Sequence, residues 1–476
     1  MKKLKVYLTT VLSLMLVLSG CSSKKDVLDP DHPVQISLWH YYNGAQQESF
    51  NDLIREFNDT VGKEKGIIVK ASGQGNVNDL ENNVLDSING EAGVAEIPNI
   101  FAAYADTAYT VDRLGYAVDL TKYFTKKELE EYISSYIEEG EFSNDGSLKI
   151  FPIAKSTEIF MLNKTDWDKF SKATGTSLDE LKTIEGVTKV SQKYYEWSDS
   201  LTEEKNDGKA FFGRDALANY FIIGFRQNGV QIFEMKDGIV TLNYDKEIVK
   251  KLWDNYYVPY IKGYFASSGR FRSDDIKTGN IIAFVGSSSG ATFFPKEVIL
   301  NDNESYKIEM SAFVAPQFEN GEAFAVQQGA GMVVTKSDEA KETACAEFLK
   351  WFTKLDQNVK FSVDSGYLPV TKAANDKDVI KEKITTTTET EQIIDKAIDT
   401  IHQSTLYTTK AFENGTKARN VLEYSLSDKA SEDRKSVLAD MKNGKSYEEA
   451  VSQFDNDKNF EAWYNETYAQ LKELVK

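Results

Sequence analysis

Residue types that serve enzyme active sites are present in this sequence, but their spacing does not form a catalytic set. The three histidines, His32, His40 and His402, are scattered and lack the spacing of a metal site or a catalytic triad. Residues 286–290 read Gly-Ser-Ser-Ser-Gly and resemble a nucleophile elbow, but the sequence offers the serine no obvious histidine partner. With 74 Asp and Glu residues, the carboxylate pairs that glycosidases need arise by chance and indicate nothing. We therefore expect a protein that is not an enzyme and that carries no metal and no cofactor.

Aromatic side chains offer a second chemistry, because several of them fall at the predicted ends of strands. Aromatic residues make up 12% of the chain. Their faces pack on the apolar faces of sugar rings, while hydroxyl, amide and carboxylate groups bind sugar hydroxyls. These candidates are Trp39, Tyr41, Tyr42, Tyr104, Tyr220 and Tyr367.

Core packing is the alternative role for each of these aromatic residues. We assign Trp39 to the core. Because Tyr41 and Tyr42 are adjacent, one of them is expected to face inward and the other to face a ligand. Tyr367 lies between Gly366 and Leu368-Pro369, in a stiff turn that favours a side chain projecting into a binding cleft.

The first third of the chain alternates strand and helix patterns. Residues 34–40, 66–71 and 98–104 predict strands, and residues 46–57 and 80–88 have apolar side chains at helical spacing. This order is typical of a parallel α/β sheet, which binds ligands beyond the carboxyl ends of its strands. Those ends are residues 39–43, 73–78 (which include Asn76) and 104–106.

Further along, the patterns predict a second set of elements reached by crossing strands. Residues 149–157 and 310–316 predict strands that cross between two lobes, and residues 281–285 form an apolar run that predicts a buried strand. Residues 211–227 predict an aromatic helix. The segment from residue 375 to residue 476 is dominated by helical patterns.

The amino terminus has the pattern of an export signal. Met1-Lys2-Lys3-Leu4-Lys5 is cationic, residues 6–18 are mostly apolar, and Leu18-Ser19-Gly20-Cys21 ends the run. Small residues directly before a cysteine resemble a bacterial lipobox, which implies cleavage before Cys21 and lipid (diacylglycerol, palmitate) on its sulfur. The alternative is an ordinary signal peptide with a chance cysteine.

Charge and cysteine content exclude several classes of partner. The net charge is −18, which disfavours nucleic acid and anionic membrane surfaces. The two cysteines are Cys21 and Cys345, so a lipidated Cys21 leaves no pair for a disulfide. Cys345 lies in a helical pattern and is expected to be a buried small side chain.

The order of these features resembles the extracellular solute-binding proteins of bacterial ABC importers, in the sugar-binding group (family 1). The resemblance rests on the turn Ser365-Gly366-Tyr367-Leu368-Pro369-Val370 after a helix containing residues 346–352, on Leu38-Trp39-His40 followed by Gly44, on Asn163-Lys164, and on Ser288-Ser289-Gly290. It covers essentially the whole mature chain. It implies an α/β, two-lobed periplasmic-binding-protein-like fold (type II), with a mostly parallel sheet in each lobe and crossing strands between them.

The nearest subgroup resembles the binding proteins for glycerol 3-phosphate and related sugars. By position, its cleft residues match Tyr42, Ser289, Ala330 and Tyr367 here. Its phosphate-binding arginine has no counterpart in Lys410-Ala411-Phe412-Glu413-Asn414-Gly415, and Arg419 fits a neighbouring helix position. We therefore favour a neutral sugar, an oligosaccharide, with glycerol 3-phosphate or a related phosphodiester as the alternative. The full set of expected ligand-binding residues is Tyr41, Tyr42, Asn76, Tyr104, Ser156, Tyr220, Ser288, Ser289, Gly329, Ala330 and Tyr367.

The resemblance also implies an organisation and partners. We expect a signal peptide at 1–20, a lipidated tether at 21–33, a first lobe at 34–154 and 313–370, and a second lobe at 155–312 and 371–476. The expected protein is a monomer, lipid-anchored on the extracytoplasmic face of the cell membrane. It would deliver a sugar to ABC permease subunits that are served by a separate ATPase. A glycan-active enzyme or an adhesin remains the remote alternative.

Overall fold

The computed structural model describes residues 27–475, apart from residues 92, 143–144, 237 and 384–387. The predicted signal peptide and Cys21 lie outside the described residues. The strands are β1 (Val34–His40), β2 (Ile67–Gly73), β3 (Ile100–Ala103), β4 (Glu158–Asn163), β5 (Phe212–Arg214), β6 (Phe233–Lys236), β7 (Ile239–Leu242), β8 (Ala283–Ser287), β9 (Glu297–Asn301), β10 (Glu304–Lys307), β11 (Met310–Val314), β12 (Phe324–Val326), β13 (Gly331–Val334) and β14 (Thr405–Tyr407).

The helices follow from apolar residues at helical spacing, and most begin at a polar capping residue. They are α1 (Gly44–Phe57), α2 (Lys63–Lys65), α3 (Val77–Asn89), α4 (Ala105–Arg113), α5 (Lys126–Leu129), α6 (Ser134–Glu138), α7 (Lys164–Thr174), α8 (Ile184–Asp199), α9 (Leu217–Gln227), α10 (Lys246–Ile261), α11 (Arg272–Lys277), α12 (Glu339–Phe352), α13 (Leu355–Ser365), α14 (Lys377–Lys383), α15 (Thr388–Gln403), α16 (Gly415–Lys442), α17 (Tyr447–Ser452) and α18 (Asp457–Leu474). No helix in the described part of the chain is both long and apolar enough to cross a membrane.

The first lobe is built on a sheet with the strand order β13-β3-β1-β2. Strand β1 is parallel to both β2 and β3, and β13 runs antiparallel to β3. Helices α1, α12 and α13 cover this sheet with an aromatic core in which Phe50 contacts Phe352 and Phe361 at ring distances of 5.4 and 5.8 Å. The predicted strand–helix alternation is therefore confirmed for this lobe.

The second lobe has a sheet with the strand order β11-β4-β8-β5. Only β5 and β8 are parallel, whereas β4 runs antiparallel to both β8 and β11. The expectation of a mostly parallel sheet is therefore wrong for this lobe, because β4 and β11 connect to segments that cross from the other lobe. The two-lobed α/β architecture itself is confirmed.

Two further details differ from the sequence patterns. Residues 212–214 form strand β5 rather than the start of a helix, and α9 begins only at Leu217. The predicted lobe boundary at residue 313 falls inside β11, where Phe313 is paired with Phe160 of β4. The division of the whole chain into lobes stays a prediction.

Three segments run side by side where the chain passes between the lobes. The amide of Lys155 donates to the carbonyl of Leu368 at 3.0 Å, and Ser156 and Gln328 exchange backbone hydrogen bonds of 3.0 and 2.9 Å. The Lys155 side chain is fully buried here. Its Nζ lies 2.7 Å from Glu139 Oε2 and donates to the carbonyl of Gly329 at 2.8 Å. One ammonium group therefore ties two crossing segments to the first lobe.

We expect Lys155→Met to destabilise the protein by about 3–5 kcal/mol, because it leaves the Glu139 carboxylate buried without its cation. The double variant Lys155→Met/Glu139→Gln should recover part of this loss, since the amide still accepts from Gln327. Thermal unfolding midpoints measure both effects.

The matched control is Lys65→Met, which breaks a partly exposed ion pair with Glu347 in the same lobe and should cost less than about 1 kcal/mol. Equal midpoints for wild type and Lys155→Met would show that the buried pair contributes nothing to the stability of the fold.

Candidate functional site

The candidate site lies where the carboxyl ends of strands from both sheets come together. In the first lobe these ends are His40 of β1 and Ala103 of β3, and in the second they are Arg214 of β5 and Ser287 of β8. Gln46 of α1 donates from Nε2 to the carbonyl of Ser289 at 3.3 Å, which joins the two edges. Such an edge is where α/β sheets hold their ligands.

Three tyrosines from separate segments meet at this edge. The Tyr41 hydroxyl lies near those of Tyr367 and Tyr104, and Tyr367 also lies near the Ser289 side chain. The amide of Ala330 donates to the Tyr41 hydroxyl at 3.4 Å. Burial raises the pKa of the Tyr41 and Tyr367 hydroxyls, so both remain protonated hydrogen-bond donors at neutral pH.

The turn that carries Tyr367 is set by the end of α13. Gly366 caps this helix in the left-handed region with φ of 72°. A Cβ atom at Gly366 would lie 3.0 Å from the carbonyl of Ser288 and 3.4 Å from Cα of Ser289. The glycine therefore allows the Tyr367 turn and the serine turn of the second lobe to pack closely together.

Other residues of the predicted set lie close to this cluster without facing it fully. Tyr42 is buried beneath it, with its ring 5.0 Å from Phe50 and 5.4 Å from His40. Burial lowers the pKa of His40 to about 4, and its Nδ1 accepts the Tyr42 amide at 3.2 Å, as expected for a neutral core histidine. Ser288 is fully buried, and its hydroxyl has no hydrogen-bond partner.

The remaining predicted residues are occupied elsewhere. Ser156 contributes backbone hydrogen bonds between the crossing segments, and the carbonyl of Gly329 accepts from Lys155. Asn76 is exposed and caps α3 by accepting from the Asp79 amide. Tyr220 is buried in α9, where its hydroxyl donates to the carbonyl of Leu252 at 3.0 Å. The structure therefore gathers Tyr41, Tyr104, Ser288, Ser289, Ala330 and Tyr367 at one place and sets Asn76 apart. The Tyr220 ring lies on the second-lobe side, 5.3 Å from the Arg214 guanidinium.

A buried polar network on the second-lobe side was missed by the sequence patterns. Arg214 is hydrogen-bonded to Glu158, whose other carboxylate oxygen accepts from Asn219 Nδ2 at 3.0 Å. Arg419 donates in turn to Asn219 Oδ1. The aromatic residues in 211–227 favour a helix and give no sign of this network. Gly213, followed by the charged pair Arg214-Asp215, is the sequence signal that indicates a strand end there.

Asp106 forms the contact between α4 of the first lobe and the start of α16 of the second. Its carboxylate accepts the Phe412 amide, and a Cβ atom at Gly415 would lie only 2.2 Å from Oδ1. Loss of solvent raises the pKa of Asp106 to about 6, although Arg419 and the Phe412 amide act in the opposite direction. Glu81 and Glu139 add negative charge nearby.

The described residues contain no group of three or more His, Cys, Asp or Glu side chains that could hold a metal ion. Hydroxyl donors, carboxylate acceptors and aromatic faces at facing sheet edges are suited instead to reversible binding of a small polar solute. The fold and the site thus define a two-lobed solute-binding protein.

The comparison with family models agrees with this class. Residues 52–388 match the model described as bacterial extracellular solute-binding protein, and the chain belongs to that family. The predicted family resemblance is therefore confirmed, and the family is one of binding proteins. No curated protein sequence matches the chain.

Solved structures share the fold at low sequence identity. The cyclic α-maltosyl-1,6-maltose binding protein of Arthrobacter globiformis aligns with a TM-score of 0.68 and 15% identity over 93% of this chain and 99% of that one. UgpB of Mycobacterium tuberculosis, in complex with glycerophosphocholine, aligns with a TM-score of 0.66 and 16% identity over 93% of this chain and 100% of that one. The MalE domain of Bdellovibrio bacteriovorus, bound to maltotriose, aligns with a TM-score of 0.62 and 13% identity over 92% of this chain and 100% of that one.

We expect Asp106→Asn to stabilise the protein at about pH 8 by ~2 kcal/mol or less, with the difference disappearing near pH 4. A carboxyl whose pKa is raised by folding stabilises the fold when protonated and loses that contribution as the pH rises through about 6. Asparagine can still accept the Phe412 amide and carries no charge. Unfolding midpoints across this pH range measure the difference.

The control for this experiment is Asp112→Asn on the same helix, whose carboxylate pairs with Lys149 at 3.0 Å within the first lobe. If the difference between wild type and Asp106→Asn is independent of pH, the enclosed Asp106 carboxyl does not titrate in this range.

Proposed function

We propose that the protein is the receptor of an ABC importer that captures a neutral sugar, an oligosaccharide, between its two lobes and delivers it to permease subunits. The family assignment supports a solute-binding role outside the cytoplasm. Neighbouring structures of the same fold bind a cyclic maltosyl-maltose and maltotriose. In this proposal the protein acts as a monomer and the ATPase is a separate chain.

The single observation that carries the proposal is the tyrosine cluster at the facing sheet edges. Tyr104 is 40% exposed, whereas its partners Tyr41 and Tyr367 are more enclosed and supported by the core. An exposed ring braced by enclosed hydroxyl donors suits a ligand that has both apolar faces and many hydroxyls. Little side-chain entropy is lost when a ligand meets side chains that are already held.

A phosphate-bearing ligand is the second candidate, because UgpB shares the fold and its structure holds glycerophosphocholine. Arg419 is the cation that such a ligand could use here. This arginine already donates to Asn219, and Glu158, Asp106 and Glu81 all lie in the surrounding field. These carboxylates oppose a further anion, so we favour the neutral sugar.

Ligand capture in this proposal is a closure of two lobes. The first lobe comprises residues 34–154 and the segment that ends at 370, and the second comprises residues from 155 and the carboxyl-terminal helices. We place the middle boundary just after β11 rather than at 313, because β11 is paired along its length with β4. The crossing segments beside Lys155 then act as the hinge.

We expect Tyr104→Ala to weaken sugar binding by about 1–3 kcal/mol, the range measured for loss of a stacked aromatic in nucleic-acid binding. Isothermal titration calorimetry against a panel of α-glucan, β-glucan and mannan oligosaccharides measures the loss. Affinity should change little with salt, because no net charge is neutralised. Small-angle scattering should also show a smaller radius of gyration with saturating sugar.

Tyr116→Ala is the matched control, since Tyr116 is 38% exposed in the same lobe but lies outside the cluster. Equal losses in the two variants would remove Tyr104 from the site. Tight, salt-sensitive binding of glycerol 3-phosphate with no sugar binding would favour the phosphate candidate instead.

Membrane attachment through lipid on Cys21 is a separate part of the proposal, supported by the leader pattern. We expect wild type in the membrane fraction and Cys21→Ala either in the soluble fraction or with its leader uncleaved. Two long acyl chains at about 0.8 kcal/mol per buried methylene group hold a soluble domain firmly. Mass spectrometry that finds an unmodified Cys21 within a longer chain would contradict the anchor.

A further inference from the structure

An exposed aromatic ring lies beside the second-lobe edge of the site, outside the tyrosine cluster. Phe271 is 53% exposed and directly precedes α11. The next amide along the chain, that of Arg272, donates to Asp215 Oδ1 at 3.2 Å. Asp215 in turn follows Arg214 at the carboxyl end of β5. Phe271 therefore lies one residue along the chain from the backbone amide that contacts this carboxylate.

The Asp215 carboxylate is held in place from one side. Arg272 Nε lies 3.4 Å from the same Oδ1 atom, and this arginine is itself buried and fixed by Asp275 and by the carbonyl of Gly269 at 2.6 Å. The Asp215 side chain is nevertheless 29% exposed. Its Oδ2 atom lies over Gly286, where a Cβ would be only 3.0 Å away.

A purely structural role explains this arrangement poorly. Arg272 already has Asp275 as a buried partner, so Asp215 is not required to neutralise it. Loss of solvent raises the pKa of Asp215 to about 6 in spite of Arg272, so this carboxylate is held in a setting unfavourable to its charge. A large exposed aromatic side chain, one residue from the amide that holds a partly open carboxylate, offers two groups that a sugar can use together.

We propose that Phe271 and Asp215 form an additional subsite that takes a second sugar unit of an oligosaccharide whose first unit lies at the tyrosine cluster. This inference rests on the proposed sugar-binding function. Strands β5 and β8 are neighbours, about 4.8 Å apart, so Asp215 lies one strand along the edge from the turn that carries Ser289. Phe271 packs on the apolar face of the sugar, and Asp215 Oδ2 accepts from its hydroxyls.

The chemistry of the subsite selects a neutral, hydroxyl-bearing ligand. A carboxylate accepts hydrogen bonds and donates none when it is ionised, as Asp215 is at neutral pH. It would repel a phosphate or a sugar acid at the same place. Because the Asp215 side chain is 29% exposed, its carboxylate keeps surface that a ligand can reach.

The test is calorimetric titration of wild type, Phe271→Ala and Asp215→Ala with oligosaccharides of increasing length. The probes are the α-glucan, β-glucan and mannan series, each from one to five units. In the series that wild type binds, both variants should lose roughly tenfold to a hundredfold in affinity for the longer members. Their affinity for the shortest member that binds should stay close to that of wild type.

The matched control is Tyr424→Ala, since Tyr424 is an aromatic residue 57% exposed on α16. Unfolding midpoints of all variants establish that they are folded. Losses that are equal for every ligand length, or no loss in either folded variant, would overturn the subsite while leaving the sugar function standing. Failure of wild type to bind any member of the three series would overturn the sugar function, and the subsite with it.

Discussion

The buried Lys155 ammonium is the interaction on which the arrangement of the two lobes depends. It bonds both to Glu139 in the first lobe and to the carbonyl of Gly329 in the neighbouring crossing segment. A charge in this setting is tolerable only with full compensation, so the ion pair specifies one position for both segments. Backbone hydrogen bonds between Lys155 and Leu368 then fix the segment that contains Leu368 relative to the segment that contains Lys155. The tyrosine cluster adjoins this junction, because Ala330, the residue after Gly329, donates its amide to the Tyr41 hydroxyl.

Rigidity at the site comes from the aromatic core of the first lobe. The Tyr367 ring is stacked on Phe361 at 6.0 Å, and Phe361 contacts Phe50 and Phe352 in the first-lobe core. The Tyr41 hydroxyl is held between Tyr367 and the Ala330 amide. The cluster is therefore an extension of the core toward solvent rather than a set of surface side chains. Among the three tyrosines of the cluster, Tyr104 is the most exposed, at 40%, which is why the proposed contact with sugar centres on it.

How much the sequence predicts depends on whether the relevant signal is local. The first sheet and the Gly366 turn follow from periodicity and from turn chemistry, and the structure contains both. The role of Trp39 as a core residue is likewise confirmed by its burial. The second sheet was predicted less well, because the direction of β4 and β11 depends on which lobe the chain enters after crossing. Periodicity carries no information about that choice.

The site shows the same division between local and long-range information. The sequence singles out Tyr41 and Tyr367 because strand ends and turns are visible in it, and their role in binding stays a prediction. Tyr220 has a similar sequence context but is buried in α9. Composition alone does not distinguish an aromatic helix inside a lobe from an aromatic strand end. The sequence does not single out Asp106 or Asp215 as site candidates, because one aspartate among many is distinguished only by its neighbours in the fold. Those neighbours are the Phe412 amide for Asp106 and Arg272 for Asp215.

The electrostatics of the cleft connect these residues to the choice of ligand. Three arginines lie along the second-lobe edge, and each already has an acceptor: Arg214 has Glu158, Arg272 has Asp275 and Asp215, and Arg419 has Asn219. An anionic ligand would meet guanidinium groups whose charge is already balanced, by Glu158 at Arg214 and by Asp275 and Asp215 at Arg272. A neutral ligand does not depend on unbalanced positive charge. Its hydroxyls can donate to carboxylate oxygens and accept from the tyrosine hydroxyls, so this pairing supports the proposed preference for a neutral sugar.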